Sequence, residues 1–328
     1  MSLTDAVYAI LTAFAVNVGL GPLLISLLKR LNFGQNVRDD GPAAHAIKAG
    51  TPIMGGVIIL LSFVVSSLFF IKGNMDGLML LFVTVGFGFI GFLDDYISVT
   101  KKRSLGLRAY QKLIAQAILC CAFVYYLLTN TSALFGVSQT SVLVPFTYGY
   151  FIDLGVMYVP FVIFVILSVV NAVNLTDGLD GLASGVTLLV VMFFLVIAWV
   201  VESMTLPLAG AVVGSLLGFL LFNSHPARVF MGDTGSLALG GFVAALAIML
   251  KLPLFLPIVG VVYLMEDLSD IIQVTYFKLT GGKRFFKMAP IHHTFELSGW
   301  EETKIVALFY IITAVAGLVG YLGAEFLF

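Results

Sequence analysis

The sequence predicts an all-α polytopic integral membrane protein with ten transmembrane helices, and three observations carry that reading. Hydrophobic residues make up 60% of the 328, against roughly 45–50% in a soluble domain. Charged residues make up only 11%, where about 25% is usual. The apolar residues gather in runs near the ~20 residues that a helix needs to cross a hydrocarbon core about 30 Å thick. These features exclude a soluble globule and a disordered chain. A formal net charge of -1 excludes a nucleic-acid binder that works by surface basicity.

Apolar runs and their breakers place the spans at 3–28, 53–71, 77–94, 110–129, 156–173, 184–201, 205–222, 236–250, 254–276 and 303–327. The first run has no basic residue before it and ends in Lys29-Arg30, the reverse of a secretory signal, so it reads as a true span. The third closes at Asp94-Asp95. Adjacent Cys120 and Cys121 lie in the fourth; neighbours rarely reach unstrained disulfide geometry, so both read as small packing residues. The stretch 131–152, with Thr, Ser, Gly, Pro, Tyr and alternating Val, fits a short hairpin outside the bilayer. The ninth span is the expected broken helix, because Glu266, Asp267 and Asp270 interrupt its second half. Residues 1–328 read as a single transmembrane domain without an internal repeat.

Sidedness follows from the bases. Loops after odd-numbered spans hold fifteen of the 17 Lys and Arg residues, leaving Lys72 and Lys251 on the other side. The positive-inside rule puts the fifteen in the cytoplasm and both termini outside it. Thirteen of the 18 acids share that cytoplasmic side, which topology does not require. So dense a mixed-sign face suggests a polar site built from several loops.

The densest polar stretch runs from Asn171 through Asn174, Asp177 and Asp180 to Ala183. Its polar groups recur every third residue, so helical spacing lines them up on one side. Carboxylates with amide oxygens suit a hard cation such as Mg2+. Asp94-Asp95 at a helix C-terminus opposes the macrodipole, which points to a general base or metal ligand. In Asn223–Ser236, Asp233 followed by Thr, Gly and Ser resembles a helix start that offers backbone N–H groups to an anion, and Phe230 offers a flat face to a base. His225 reads as a polar loop residue.

Lys283–Glu296 alternates Phe285, Phe286 and Met288 with Arg284 and Lys287, as an interfacial amphipathic segment does. Its adjacent His292 and His293 suit anion contact or proton transfer better than zinc. Gly86-Phe-Gly88-Phe-Ile-Gly91 fits a dinucleotide fingerprint in letters only; without a preceding strand it reads as a smooth helix-packing face. Positive-inside topology leaves the Gly50-Thr51-Pro52-Ile53-Met54-Gly55-Gly56 pattern unexplained.

At these residues the chain resembles the polyprenyl-phosphate N-acetylhexosamine-1-phosphate transferase superfamily over essentially its whole length. Asp94-Asp95, Asn171–Ala183 and Phe230-Met231-Gly232-Asp233 look like superfamily motifs. Gly50–Gly56 and Ala289-Pro290-Ile291-His292-His293 resemble its phospho-N-acetylmuramoyl-pentapeptide transferase branch. The resemblance implies ten transmembrane helices, Mg2+ dependence, a cytoplasm-facing site in a bacterial cell membrane, and a homodimer among membrane lipids. The implied reaction joins UDP-N-acetylmuramoyl-pentapeptide to undecaprenyl phosphate and releases UMP. Asp94, Asp95, Asp177 and His292 are the implied catalytic set, and Asp233 with Asp177 the implied metal ligands. Asp180, Asn223 and Phe230 look like a uridine pocket. Lys48, Asn174, Gln273, His292 and His293 look like contacts to sugar, phosphate or peptide, and Asn171 and Lys102 join the substrate-binding set.

Three departures stand out. Thr294 replaces a third histidine, Ile53 replaces a threonine, and Ile97 and Ser98 stand where a lysine commonly follows the paired aspartates. Direct attack by the lipid phosphate is the favoured scheme, with Asp94 taking its proton or orienting it; a covalent carboxylate intermediate is the alternative. The competing functions are a related UDP-N-acetylglucosamine:polyprenyl-phosphate transferase and a secondary transporter. The transporter predicts midplane charges and inverted repeats, whereas here the acids cluster at one interface. A CDP-alcohol phosphatidyltransferase shares the Asp177–Gly181 start but needs further spaced acids, and residues 186–201 contain none.

Overall fold

The computed structural model describes residues 2–31, 50–71, 73–101, 106–130 and 134–327. Each expected span meets a helix: α1 (Leu3–Arg30), α2 (Gly56–Leu68), α3 (Met75–Thr100), α4 (Ala109–Asn130), α5 (Tyr158–Thr176), α6 (Leu182–Val200), α7 (Leu206–Asn223), α8 (Gly232–Met249), the broken pair α9 (Leu256–Val259) and α10 (Val261–Leu279), and α12 (Glu302–Gly323). A short helix, α11 (Ile291–Glu296), precedes the last. Among the described residues, eight helices are long and apolar enough to cross a membrane. The shorter α2 has 13 residues, about 20 Å at 1.5 Å per residue. The charges on α10 keep it out of the eight.

Three boundaries differ from expectation. The second element becomes helical only at Gly56, because Pro52, Gly55 and Gly56 commit their backbone elsewhere. The third runs past Asp94-Asp95 to Thr100, so the acids lie inside the helix. The ninth breaks at Gly260 and stays helical through Glu266, Asp267 and Asp270. Glu266 is fully buried beside His292, which supplies the partner that an acid in a membrane helix requires. The hairpin exists: β1 (Ser141–Leu143) pairs antiparallel with β2 (Phe151–Asp153). Both cysteines are free.

Helices in lipid gain little from mutual apolar burial, so close backbone approach at small residues holds them together. On α7, a Cβ at Gly210 would fall 2.7 Å from the Ala6 carbonyl oxygen, and one at Gly214 2.1 Å from that of Ile10. Partner numbers rise together, so α1 and α7 run parallel. On α3, a Cβ at Gly91 would fall 2.0 Å from the Asp233 carbonyl oxygen, while Phe87 packs on Gly241. Here the numbers run oppositely, and α3 is antiparallel to α8. The Gly86–Gly91 pattern is thus a packing face. Helix α8 is buried along nearly its whole length, and the C-terminal ends of α3, α5 and α7 meet its N-terminal end.

Candidate active site

The site is assembled around the first turn of α8. Pro52 accepts the Phe230 N–H at 2.9 Å, and Gly55 and Gly56 donate their N–H groups to the carbonyls of Phe230 and Met231, both at 2.8 Å. A Cβ at Gly56 would fall 2.1 Å from the Gly235 nitrogen. The Gly50–Gly56 pattern is therefore a backbone clamp on the loop that enters α8. Asn223 closes the same loop, accepting from Ser184 Oγ at 2.7 Å and donating to the Val229 carbonyl at 3.0 Å.

The N–H groups at a helix start have no intrahelical acceptor, and here two carboxylates from other helices take them. Asp177 Oδ2 accepts from the Gly232 N–H at 3.2 Å. Asp95 accepts from the Asp233 N–H at 3.1 Å, the Thr234 N–H at 2.9 Å and the Thr234 hydroxyl at 2.6 Å. The anion expected at this helix start is thus supplied by the protein itself.

The Asp233 side chain points away from that ring. Its Oδ2 accepts from Lys112 Nζ at 2.6 Å and its Oδ1 from Asn174 Nδ2 at 2.7 Å. Asp94 Oδ2 lies 3.9 Å from the same ammonium, and Asp94 Oδ1 accepts the Leu107 N–H at 2.6 Å. Enclosure by its neighbours, with the Asp233 charge second, pushes the Asp177 carboxyl up to about 7. Four carboxylates and one amide converge here with the Lys112 ammonium. The carboxylates offer only oxygens, the donor chemistry a hard divalent cation prefers, while Asn174 turns its Nδ2 to Asp233.

A second cluster adjoins it. Asp180 Oδ2 accepts the Ala227 N–H at 3.0 Å and lies 3.1 Å from His225 Nδ1. Its own N–H donates to Glu302 at 2.7 Å. Tyr310 donates to the Gly181 carbonyl at 2.7 Å, so α12 supports the turn from Asp177 to Gly181 twice. His292 lies beneath that turn, 2.9 Å from Glu266 through Nδ1. His293 pairs with Glu296 at 2.7 Å. Gln273 Oε1 accepts the Phe285 and Phe286 N–H groups at 3.1 and 2.9 Å and lines a cavity of about 310 Å³ with Lys278, Arg284 and Met288. Thr294, in place of a third histidine, accepts from the Met288 N–H and donates to its carbonyl, at 3.3 and 2.5 Å.

The structure brings Asp94, Asp95, Asn174, Asp177 and Asp233 together, with Asp180, Asn223 and half-buried Phe230 alongside. It separates Asn171, whose amide donates to the Leu167 carbonyl at 2.7 Å and lies 3.4 Å from Gln116. The three-residue period fails because α5 ends at Thr176, and Asp180 turns toward His225. Lys48 and Lys102 lie outside the described residues. Sequence reasoning missed Lys112, Glu266, His225 and Glu302 as site residues. Of these, only Glu266 lay within an apolar run, while Lys112 stood at the start of one.

The family model described as Glycosyl transferase family 4 matches residues 77–251. The chain is similar to the phospho-N-acetylmuramoyl-pentapeptide-transferase of Alkaliphilus oremlandii, 53% identical over 331 residues and 97% of each chain. That of Alkaliphilus metalliredigens is 50% identical, over 98% of this chain and 99% of its own. That of Clostridioides difficile is 49% identical over 96% of each.

Proposed function

This chain belongs to glycosyl transferase family 4 and to the phospho-N-acetylmuramoyl-pentapeptide transferases, and on that premise we propose how its residues carry the reaction. It transfers phospho-N-acetylmuramoyl-pentapeptide from UDP to a polyprenyl phosphate, with UMP as the leaving group. The acceptor we assign is undecaprenyl phosphate, and the site faces the cytoplasm of a bacterial cell membrane. Fifteen bases against two support that orientation.

The observation that carries the assignment is Asp233 on the first turn of α8, bonded to Lys112 and Asn174 and surrounded by Asp94, Asp95 and Asp177. Phosphoryl transfer asks chiefly for positioning and charge neutralisation. Asp233 and Asp177 are the residues that would hold Mg2+, which when bound neutralises charge on the diphosphate. Lys112 supplies fixed positive charge beside the same carboxylates. Asp94, with Oδ2 near Lys112, receives or orients the proton of the lipid phosphate. Asp95 holds the first turn of α8 in place, since both its oxygens accept from it. Asp180, Asn223 and Phe230 form the nucleotide side, and His292, His293 and Gln273 the sugar and peptide side. Assembly as a homodimer belongs to the same proposal and is checked by mass measurement in detergent.

The test is UMP release by purified protein with Mg2+ and undecaprenyl phosphate. Release with UDP-N-acetylmuramoyl-pentapeptide and none with UDP-N-acetylglucosamine is expected. The opposite preference overturns the substrate assignment. Stoichiometric UMP release without lipid acceptor overturns direct attack in favour of a covalent intermediate.

A further inference from the structure

The hairpin between α4 and α5 lies at the opposite end of the bundle from the Asp233 cluster. Helix α8 carries Asp233 on its first turn and has 18 residues, a length of about 27 Å. Just past its other end, the Lys251 carbonyl accepts the N–H of Leu143 in β1 at 2.8 Å. The tip of the hairpin is closed by the Val144 N–H, which donates to the Tyr150 carbonyl at 3.0 Å. That tip rests on the end of α12. Phe146 donates its N–H to the Gly323 carbonyl at 3.0 Å, and a Cβ at Gly149 would fall 2.8 Å from the Phe326 ring. Helix α12 has 22 residues, about 33 Å, close to the ~30 Å of a hydrocarbon core. Its end at Gly323, and the tip beside it, therefore stand at the level of the lipid interface.

The tip turns its large side chains outward. Tyr148 is 84% exposed, and Phe146 and Tyr150 are exposed with it. Phe146 and Tyr148 both hold left-handed backbone, with φ of 62° and 51°, a conformation that bulky residues avoid. A turn made to face water draws instead on Gly, Asn, Asp and Ser. Residues 131–152 contain no charged side chain. The exposed surface is also continuous with that of α12, where Leu318 and Leu322 are exposed over the last two turns.

We propose that this tip is a lipid-binding anchor: Phe146, Tyr148 and Tyr150 enter the boundary between headgroups and acyl chains in the leaflet opposite the Asp233 cluster. Tyrosine suits that depth, because its ring takes the apolar side and its hydroxyl stays among the headgroups. Continuity with the lipid-facing side of α12 selects lipid over a protein as the occupant. A turn without charges adds nothing with which to steer a soluble partner. Through Gly323 and Phe326 the anchor holds the end of α12, the helix whose other end carries Glu302 against Asp180. The inference needs only that the chain spans a bilayer, and it is independent of the transferase reading.

The experiment places a nitroxide on the tip of the full-length protein in nanodiscs of phosphatidylethanolamine and phosphatidylglycerol. Cys120→Ala and Cys121→Ala remove the native thiols, and the label is attached at Tyr148→Cys or, separately, at Thr147→Cys. Thr147 is an exposed neighbour in the same turn, so it reads the same depth if Tyr148→Cys fails to fold. Leu318→Cys on α12 is the lipid-facing reference. Collisions with oxygen, which concentrates in the bilayer, are compared with collisions with a water-soluble nickel chelate. Oxygen access above nickel access at the tip, shifted toward the value at Leu318→Cys, is the expected result. Nickel access above oxygen access overturns the proposal, because the tip then stands in water. Protection from both reagents also overturns it, because protein then covers the tip; dipolar broadening between labels would identify that protein as a second copy.

Discussion

The Asp95 carboxylate on α3 caps α8, accepting the Asp233 and Thr234 N–H groups at 3.1 and 2.9 Å. An acid that opposes the dipole of its own helix is stabilised by the positive end of another. Asp95→Asn leaves one acceptor oxygen and turns an amide toward donors. A loss of about 1–2 kcal/mol is expected, the scale of a lost helix cap. It should appear as a lower Tm in detergent, with Asp94→Asn unaffected. An unchanged Tm in Asp95→Asn would remove the capping role.

Lys112 bridges Asp233 at 2.6 Å and Asp94 at 3.9 Å. Lys112→Met leaves those carboxylates facing each other, and Asp233→Asn removes the central charge. Each should lower turnover by about 10²-fold or more, the usual effect of deleting a group that stabilises developing charge. Near-normal UMP release by Asp233→Asn at ordinary Mg2+ would exclude it as a metal ligand.

Two glycines of one helix should respond differently. A Cβ at Gly91 meets the Asp233 backbone oxygen at 2.0 Å, whereas one at Gly86 meets the flexible Leu119 side chain at 2.9 Å. Gly91→Ala should cost about 1–3 kcal/mol and most of the activity. Gly86→Ala should cost little. Equal melting shifts would contradict the close approach of α3 to α8.

Lys251 lies between α8 and α9, is 4% exposed, and donates to the carbonyls of Ser138 and Gln139. Burial pulls its ammonium down to about 8, partly offset by Asp153. The unfolded chain therefore binds more protons between that value and the ordinary 10.5, so this residue makes stability rise as pH rises through the interval. Subtracting the Lys251→Met melting curve from wild type between pH 7.5 and 10 should leave a positive slope. A flat difference would show that the burial costs the charge nothing.

Lys101 follows α3 at the end that carries Asp94 and Asp95. Lys101→Cys should resist an impermeant thiol reagent applied outside intact cells and react after permeabilisation. Ready labelling from outside would invert the orientation.

The helices were legible because crossing lipid imposes one strong demand, a long apolar run, on each of them. The ends were less legible. Gly55 and Gly56 look like the start of a span, yet their N–H groups serve Phe230 and Met231. Glu266 and its neighbours look like helix breakers, yet a buried partner keeps Glu266 within the helix.

Sequence alone determined the class of fold and singled out the aspartates that the structure brings together around α8, since hydropathy and motif spacing act along the chain. Only tertiary structure decided what each acid does. Asp95 caps α8, Asp94 shares Lys112 with Asp233, and Asp180 leaves the period of Asn171 and Asn174 to meet His225 and Glu302. A carboxylate's role follows from which donors surround it, and here those donors come from helices distant in sequence, brought together by glycine faces that let the backbones touch.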